Sequence, residues 1–321
     1  MSIQLAFYEV FSEEEAELRR QLADLSARAS FSPLTIQESG HPAPSNALIS
    51  IRTQSRLPAT WWPGTRALLT RSTGYDHLLP LAGQPGAPPL AALPEYCSRA
   101  VAEQAVLLWM ALRRRLPDQL RQMARFDREH LTGRECAGAS LALFGVGRIG
   151  SEIAGLARAL GLAVVGVDPI KRQADLTYLS PQHALAQADI VVASMNLTPA
   201  NRGYFDEARW NQVRPGAVFV NVARGELSPP GPLLNALRSG RLAGAALDVY
   251  DGEDALGAAL RAAGPTAAPP PWPELLAHPA VLCTPHNAFN TAEALVRKCD
   301  FTVQQCRTFL EKQAFRWPLR P

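Results

Sequence analysis

The sequence predicts an α/β protein: a doubly wound parallel sheet with a second, smaller α/β unit in front of it. Three observations carry this expectation. Short apolar runs recur at Leu141–Phe144, Ala163–Val167, Asp189–Ser194, Val218–Val222, Ala245–Leu247 and Val281–Cys283. Helical patterns separate several of them, as in Ile149, Ile153, Leu156, Ala157 and Leu160 between the first two, which is how parallel strands alternate with crossover helices. The chain has 321 residues, enough for two domains of ordinary size.

The most informative stretch runs from Ser140 to Asp168. An apolar strand leads into Gly145-Val-Gly147-Arg148-Ile149-Gly150, a helix follows, and a second strand ends on Asp168. Glycines spaced G-x-G-x-x-G between a strand and a helix have a physical role at each position. Gly145 permits the tight turn, Gly147 lets backbone approach a pyrophosphate, and Gly150 lets helix and strand pack closely. The helix, opening with Arg148 and Ile149, presents N–H groups and a positive dipole end to phosphates. Asp168 stands eighteen residues beyond Gly150, where a carboxylate accepts hydrogen bonds from ribose hydroxyls and repels a 2′-phosphate. The expectation is a Rossmann domain that binds NAD.

The remaining elements follow in order. Ile3–Phe7 reads as a strand, and Ser12 with Glu15 reads as a capping pair for a helix reaching about Ala29. Ala47–Ile51 and Ala67–Leu69 read as further strands, the latter running into Arg71-Ser72-Thr73-Gly74, on its own an ordinary strand-to-helix turn or one whose backbone N–H groups bind an anion. Leu81–Pro94, rich in Pro, Gly and Ala, reads as irregular. A long helix begins at Ser98 with the stripe Val101, Ala105, Leu108, Leu112, Leu116, and Arg113-Arg114-Arg115 reads as its solvated end. Ala255–Ala263 reads as a helix, Gly264–Pro273 as a surface excursion, and about Thr291 to Lys312 as the closing helix.

Composition excludes several classes. Hydrophobic residues make up 47% and charged residues 19%, values of a globular protein, and the net charge of +3 is too mild for a nucleic-acid binder. Cys97, Cys136, Cys283, Cys299 and Cys306 are scattered and form no C-x-x-C pair, so neither a disulfide framework nor a metal site is expected. The N-terminus lacks the basic and apolar regions of a secretion signal, and no apolar run is long enough to span a bilayer. These features point to a cytoplasmic protein without a membrane partner.

In an open parallel sheet, ligands bind beyond the carboxyl ends of the strands. Arg224, Asp248, Glu253 and His286 each follow an apolar strand-like run, so they are expected at the rim that carries the glycine loop. Guanidinium, carboxylate and imidazole beside a nicotinamide suit acid/base-assisted hydride transfer.

With these residues in place, the chain resembles the D-isomer-specific 2-hydroxyacid dehydrogenases. The resemblance rests on Ala102-Glu103, Gly145–Gly150 with Asp168, Asn221-Val-Ala-Arg-Gly-Glu-Leu227, Gly244-Ala-Ala-Leu-Asp-Val-Tyr250 and Thr284-Pro-His-Asn-Ala-Phe-Asn-Thr291. It implies an NAD-binding Rossmann domain over 99–288 and a smaller, discontinuous, flavodoxin-like substrate domain over 1–98 and 289–321. It implies a homodimer through the cofactor domain and a small 2-keto or 2-hydroxy acid substrate. Arg224 is implied as the substrate-binding arginine, His286 as acid/base and Glu253 as its partner. The thirty-three residues from Glu253 to His286 resemble the D-lactate dehydrogenase branch. The implied mechanism lays the substrate carboxylate on Arg224, whose planar fork matches it, and on the backbone of Ser72, Thr73 and Gly74. The resemblance implies that Asp248 and the backbone near Ala223 hold the nicotinamide carboxamide. Arg52, after the Ala47–Ile51 strand, reads either as a further cation at the substrate mouth or as a solvent-facing side chain.

The chain departs from the usual family pattern at Ser194-Met-Asn-Leu-Thr198 and at Pro229, where an acidic residue is common. Trp61, Trp62, Trp272 and Phe289 are candidates for pocket walls, with core packing as the alternative. Other readings stay open on the residues: phosphite- or formate-type oxidation on the same scaffold, an NAD(H)-sensing regulator, and an unrelated Rossmann methyltransferase that would leave Arg224, Glu253 and His286 idle.

Overall fold

The computed structural model describes residues 2–94 and 96–319. They fall into two compact units: residues up to Cys97 with those from Asn290 onward, and Ser98–Phe289. The first unit opens with β1 (Gln4–Phe7), α1 (Ser12–Gln21), β2 (Ala29–Phe31), α2 (Ile36–Ser39), β3 (Ala47–Ile51), β4 (Thr65–Thr70) and β5 (Leu90–Ala92). The strands form a parallel sheet in the order β2-β1-β3-β4-β5, the flavodoxin-like arrangement. Every residue of β3 is buried, as its continuous apolar run requires at the middle of the sheet.

Three details of this unit differ from expectation. Phe11 rather than Ser12 precedes the first turn of α1, and the Ser12 hydroxyl turns to the Glu13 carboxylate instead of capping. The helix also stops at Gln21. A 3₁₀ segment, Ala23–Arg28, leads into β2, because the free edge of β1 offers Leu5, Ala6 and Phe7 as partners to Ala29, Ser30 and Phe31. Leu90–Ala92, inside the stretch read as irregular, likewise pairs with the edge of β4.

The second unit runs through α3 (Ser98–Arg113), α4 (Leu116–Met123), β6 (Ser140–Phe144), α5 (Arg148–Ala159), β7 (Ala163–Val167), β8 (Thr177–Tyr178), α6 (Pro181–Gln187), β9 (Ile190–Ala193), α7 (Glu207–Trp210), β10 (Ala217–Asn221), α8 (Pro230–Arg238), β11 (Leu242–Leu247), α9 (Glu253–Ala263), α10 (Trp272–Ala277) and β12 (Val281–Cys283). Its seven parallel strands lie in the order β12-β11-β10-β9-β6-β7-β8. The order reverses between β6 and β9, so the loop after β6 stands at the switch point of a doubly wound sheet. Phe144, Phe205, Trp210 and Phe219 fill the core on one face with ring centroids about 5 Å apart.

The apolar stripe read as one helix from Ser98 is two. Arg115 is left-handed (φ 53°) and ends the run before Leu116 opens α4. Gly264–Pro273 is not merely a surface excursion: Ala268 and Trp272 are buried, and the Trp272 ring meets Tyr250 edge-on at 5.4 Å. The chain then returns to the first unit as α11 (Ala292–Lys312), capped by the Thr291 hydroxyl accepting from Ala294 N at 3.2 Å. No helix among the described residues is long and apolar enough to cross a membrane.

Candidate active site

The glycine loop is built by exclusion. Gly145 has φ 92°, and a Cβ there would lie 2.5 Å from the backbone of Met195. A Cβ on Gly150 would lie 2.2 Å from the Gly145 carbonyl oxygen, so the third glycine lets α5 sit directly on the loop. Gly147 is different, because a Cβ there meets no protein atom within 4 Å. The demand for glycine at 147 therefore does not come from the chain's own packing, and the space it leaves lies at the start of α5, whose first-turn N–H groups point outward. Ser194, at the departure from the family pattern, donates to the Gly145 carbonyl at 2.7 Å and closes the loop from β9.

Asp168 is fixed beside this loop. Its Oδ2 accepts from Val146 N and its Oδ1 from Ile170 N, each at 2.7 Å, with the Arg172 guanidinium 4.0 Å away. One carboxylate thus ties β7 to the glycine turn. Open space at Gly147, helix N–H groups and an adjacent oriented carboxylate make Gly145, Gly147, Arg148, Ile149 and Gly150 a candidate cradle for a dinucleotide's phosphates.

The carboxyl ends of β10, β11 and β12 carry the remaining candidates of this unit. Arg224 follows β10, half-buried and extended, and its Nη1 donates to the Ala223 carbonyl at 2.8 Å. Asn221 sets this turn: its Oδ1 accepts from Ala223 N at 3.0 Å and its Nδ2 donates to the Arg224 carbonyl at 2.9 Å. A Cβ on Gly225 would fall 1.8 Å from the Tyr250 carbonyl carbon, so the Arg224 turn lies against the turn that leads to Glu253.

His286 and Glu253 meet directly. His286 Nδ1 is 2.7 Å from Glu253 Oε1, with both side chains about 30% exposed. A carboxylate only accepts, so Nδ1 carries the proton and Nε2 is turned to other partners. Glu253 is the first residue of α9, where the helix dipole favours its charge. His286 is held at φ 50°, a left-handed conformation uncommon for a non-glycine residue.

Asp248 is what holds it there. This side chain is 1% exposed and points inward. Its Oδ1 accepts from Thr284 Oγ1 (2.6 Å) and Asn287 N (2.9 Å), and its Oδ2 from Ala288 N (2.9 Å). Burial pushes its carboxyl pKa above the usual carboxylate value, against the opposing pull of these hydrogen bonds. Three of about four lone-pair sites are taken by the turn that carries the histidine. Tyr250 adds to the same frame, its hydroxyl donating to the Thr284 carbonyl at 2.7 Å. Sequence reasoning named Asp248 but missed Asn221, Tyr250 and Thr284 as its supporting frame. Their only signal was position, each near the end of a strand-like run.

The first unit holds Ser72, Thr73, Gly74 and Arg52. The 72–74 turn follows β4, and its backbone N–H groups meet no acceptor among the described residues. Arg52 follows β3 and lies over the Phe11 ring, 4.3 Å from its centroid. Trp61 packs against Tyr8 and is buried, and Trp272 is a core residue of the other unit. No group of metal-ligating side chains occurs among the described residues.

A dinucleotide loop at the switch point of one parallel sheet, with a paired imidazole and carboxylate beyond neighbouring strands, defines a dinucleotide-dependent oxidoreductase. Residues 106–288 match the family model described as D-isomer specific 2-hydroxyacid dehydrogenase, NAD binding domain, and the chain belongs to that family. It is 32% identical over 257 residues to 2-hydroxyacid dehydrogenase A of Aspergillus oryzae, an alignment covering 78% of this chain and 73% of the relative. It is 30% identical over 315 residues to a D-lactate dehydrogenase of Streptococcus agalactiae, covering 93% and 94%. Among solved structures, a D-2-hydroxyisocaproate dehydrogenase has the same fold with TM-score 0.86 at 23% identity, covering 99% of this chain and all of that one. The D-lactate dehydrogenase of Aquifex aeolicus, solved with NAD and lactic acid, matches with TM-score 0.84 at 24% identity, covering 98% and 99%. The protein is an NAD-dependent oxidoreductase of the 2-hydroxyacid class.

Proposed function

We propose that the chain interconverts a small D-2-hydroxy acid and its 2-keto acid, with His286 as acid/base, Glu253 as its orienting partner and Arg224 as the carboxylate-binding cation. The observation that carries this reading is the 2.7 Å contact between His286 Nδ1 and Glu253 Oε1. With Nδ1 committed to a carboxylate, Nε2 is the atom that gives a proton to the substrate oxygen on reduction and takes it back on oxidation. When bound, the nicotinamide supplies or accepts the hydride at C2. Arg224 offers two parallel donors to the substrate carboxylate, and its charge favours the oxygen of C2 as alkoxide character grows there. In the first unit, the Ser72, Thr73 and Gly74 N–H groups and Arg52, at the end of the neighbouring strand, are further candidates for binding the substrate. Asp248 keeps the histidine turn in register and has one lone-pair site left for a carboxamide N–H, with the Ala223 backbone beside it.

The assembly we propose is a homodimer through the second unit. Leu120, Met123 and Phe126 in and after α4 stand 68%, 65% and 71% exposed, a contiguous apolar strip that a lone subunit would leave in water. A cytoplasmic location is supported by five cysteines that are all free thiols.

The experiment is an NADH-oxidation panel over glyoxylate, pyruvate, hydroxypyruvate, 2-ketobutyrate and phenylpyruvate. Saturable turnover of at least one supports the reading. Turnover of phosphite or formate with NAD, and of no keto acid, would replace it with the hydride-donor reading. Tight NADH binding with no turnover at all would favour a sensor.

A further inference from the structure

The long connection between Glu253 and His286 buries side chains that the proposed chemistry does not use. Trp272, the first residue of α10, is 4% exposed, and Leu275 on the same helix is fully buried. The helix is held from two directions. Trp272 N donates to the Pro269 carbonyl at 2.9 Å, and Glu274 Oε1 accepts from Arg238 Nε, at the end of α8, at 2.9 Å. What the indole of Trp272 meets is the ring of Tyr250, edge-on, with centroids 5.4 Å apart and planes at 74°.

Tyr250 in turn touches both turns of the proposed site. Its hydroxyl lies 2.7 Å from the Thr284 carbonyl and 3.1 Å from the Leu247 carbonyl, and its single proton serves the two. The same Thr284 carbonyl accepts from His286 N at 2.8 Å, and the Leu247 carbonyl accepts from Thr284 N at 2.9 Å. One hydroxyl thus ties the end of β11 to the carbonyl that the histidine's own N–H uses. Burial, with the Cys283 thiol close by, pushes the phenol well above its ordinary 10, so it stays a donor at any working pH. On its backbone side, the Tyr250 carbonyl carbon lies 1.8 Å from where a Cβ on Gly225 would fall, hard against the turn after Arg224. His286 needs this support, because φ 50° is a conformation that a side-chain-bearing residue rarely adopts. Asp248 holds Asn287 and Ala288 after it, and the Tyr250 hydroxyl holds the carbonyl before it.

We propose that Trp272 is a positioning residue for His286: it seats the Tyr250 ring so that the hydroxyl fixes the Thr284 carbonyl, and with it the turn that aims the imidazole. This rests on the reading of His286 as the acid/base group. The connection from α9 to β12 is then part of the frame of the site and not a spacer. A proton transfer is sensitive to such a frame, since a misplacement of about 1 Å costs about 10²-fold in rate. Binding of the dinucleotide at the glycine loop, on a different strand end, is not.

The test is reduction of the panel's best keto acid by NADH with Y250F, W272F, W272L, the double variant Y250F/W272L and H286A, each checked for NADH affinity by fluorescence titration and for its thermal midpoint. Y250F removes one oxygen and keeps the ring, so kcat should fall tenfold or more while KM for the keto acid changes less than threefold and NADH affinity stays at the parent value. W272L should lower kcat at least fivefold, and W272F, which keeps an aromatic edge, should hold it within twofold of the parent. The double variant should match Y250F within twofold, because Trp272 acts through the hydroxyl already lost. Losses that multiply in the double variant would overturn this route. Parental kcat in Y250F would overturn the positioning role whether or not W272L folds. H286A separates the two levels. If it loses turnover while Y250F and W272L keep theirs, the acid/base reading stands and the positioning role fails. If H286A itself reduces the keto acid at the parent rate, the acid/base reading fails.

Discussion

His286 is locked on both sides: Glu253 fixes its ring, and Asp248 fixes its backbone through the flanking Thr284, Asn287 and Ala288. The two carboxylates therefore predict different failures. H286A removes the proton carrier and should lower keto-acid turnover about 10²- to 10⁴-fold, with NADH affinity measured by fluorescence near the parent value. D248N leaves the imidazole in place but replaces an acceptor of three hydrogen bonds with an amide that cannot accept on both sides. It should lower the thermal midpoint, by about 1–3 kcal/mol of stability, as well as turnover. Retention of both by D248N would remove Asp248 from the supporting frame. The sequence placed Arg224, Glu253 and His286 at one rim because each follows a strand-like run, and their roles came from the family resemblance. Asp248 also follows a strand-like run, and its buried side chain holds the histidine turn, a task the sequence does not reveal. Orientation at a strand end depends on the turn that follows, and the turn is set by Tyr250 and Thr284, whose contribution no periodicity reveals.

At the scale of elements, the glycine loop and α5 form one rigid piece, since Gly150 lies on the Gly145 carbonyl. G150A should force the helix off the loop and weaken NADH binding at least tenfold, read by titration. G147A, whose Cβ meets nothing in the protein, should leave the thermal midpoint near that of the parent while NADH binding falls, because the obstruction would be to the ligand. Strong, long periodic elements were legible: β6, α5 and β7 differ from the sequence reading by a residue or so. Short edge strands were not, because β2, β5 and β8 span only two or three residues and exist by pairing with a neighbour rather than by their own pattern. The break between α3 and α4 was hidden by an apolar stripe that continues across Arg115. The second helix turns its apolar residues outward, and L120D together with M123D should convert the proposed dimer to a monomer in sedimentation. An unchanged sedimentation coefficient would place the interface elsewhere.

For the whole molecule, the pH dependence of stability follows from a buried cluster of the first unit, in which Glu14 Oε1 accepts from Arg71 Nε at 2.8 Å and lies 3.1 Å from Lys298 Nζ. Burial works to raise the Glu14 carboxyl, but Arg71, Lys298 and Arg52 outweigh it and bring it down to about 2, from an ordinary 4.5. A depressed carboxyl contributes stability fully above its unfolded value and loses it as pH falls toward the folded one. Thermal midpoints should therefore drop between about pH 4.5 and 2. E14Q should be unstable already at neutral pH, by about 3–5 kcal/mol, since it strands two buried cations. An acid limb unchanged in a folded E14Q would show that other carboxyls govern it. Nothing in the sequence announced this cluster. Glu14 stands among three consecutive carboxylates, Glu13-Glu14-Glu15, and Arg71 and Lys298 lie far from it along the chain, so only the fold brings the three together.

The central claim, hydride exchange between NAD and C2 of a D-2-hydroxy acid, is tested most directly by isotope transfer. The purified enzyme is given NADH with both C4 hydrogens of the nicotinamide replaced by deuterium and the best keto acid of the panel, and the product is resolved on a chiral column with mass detection. The account predicts deuterium bound to C2 of the D-hydroxy acid alone. An L or racemic product, or one without deuterium at C2, would contradict it.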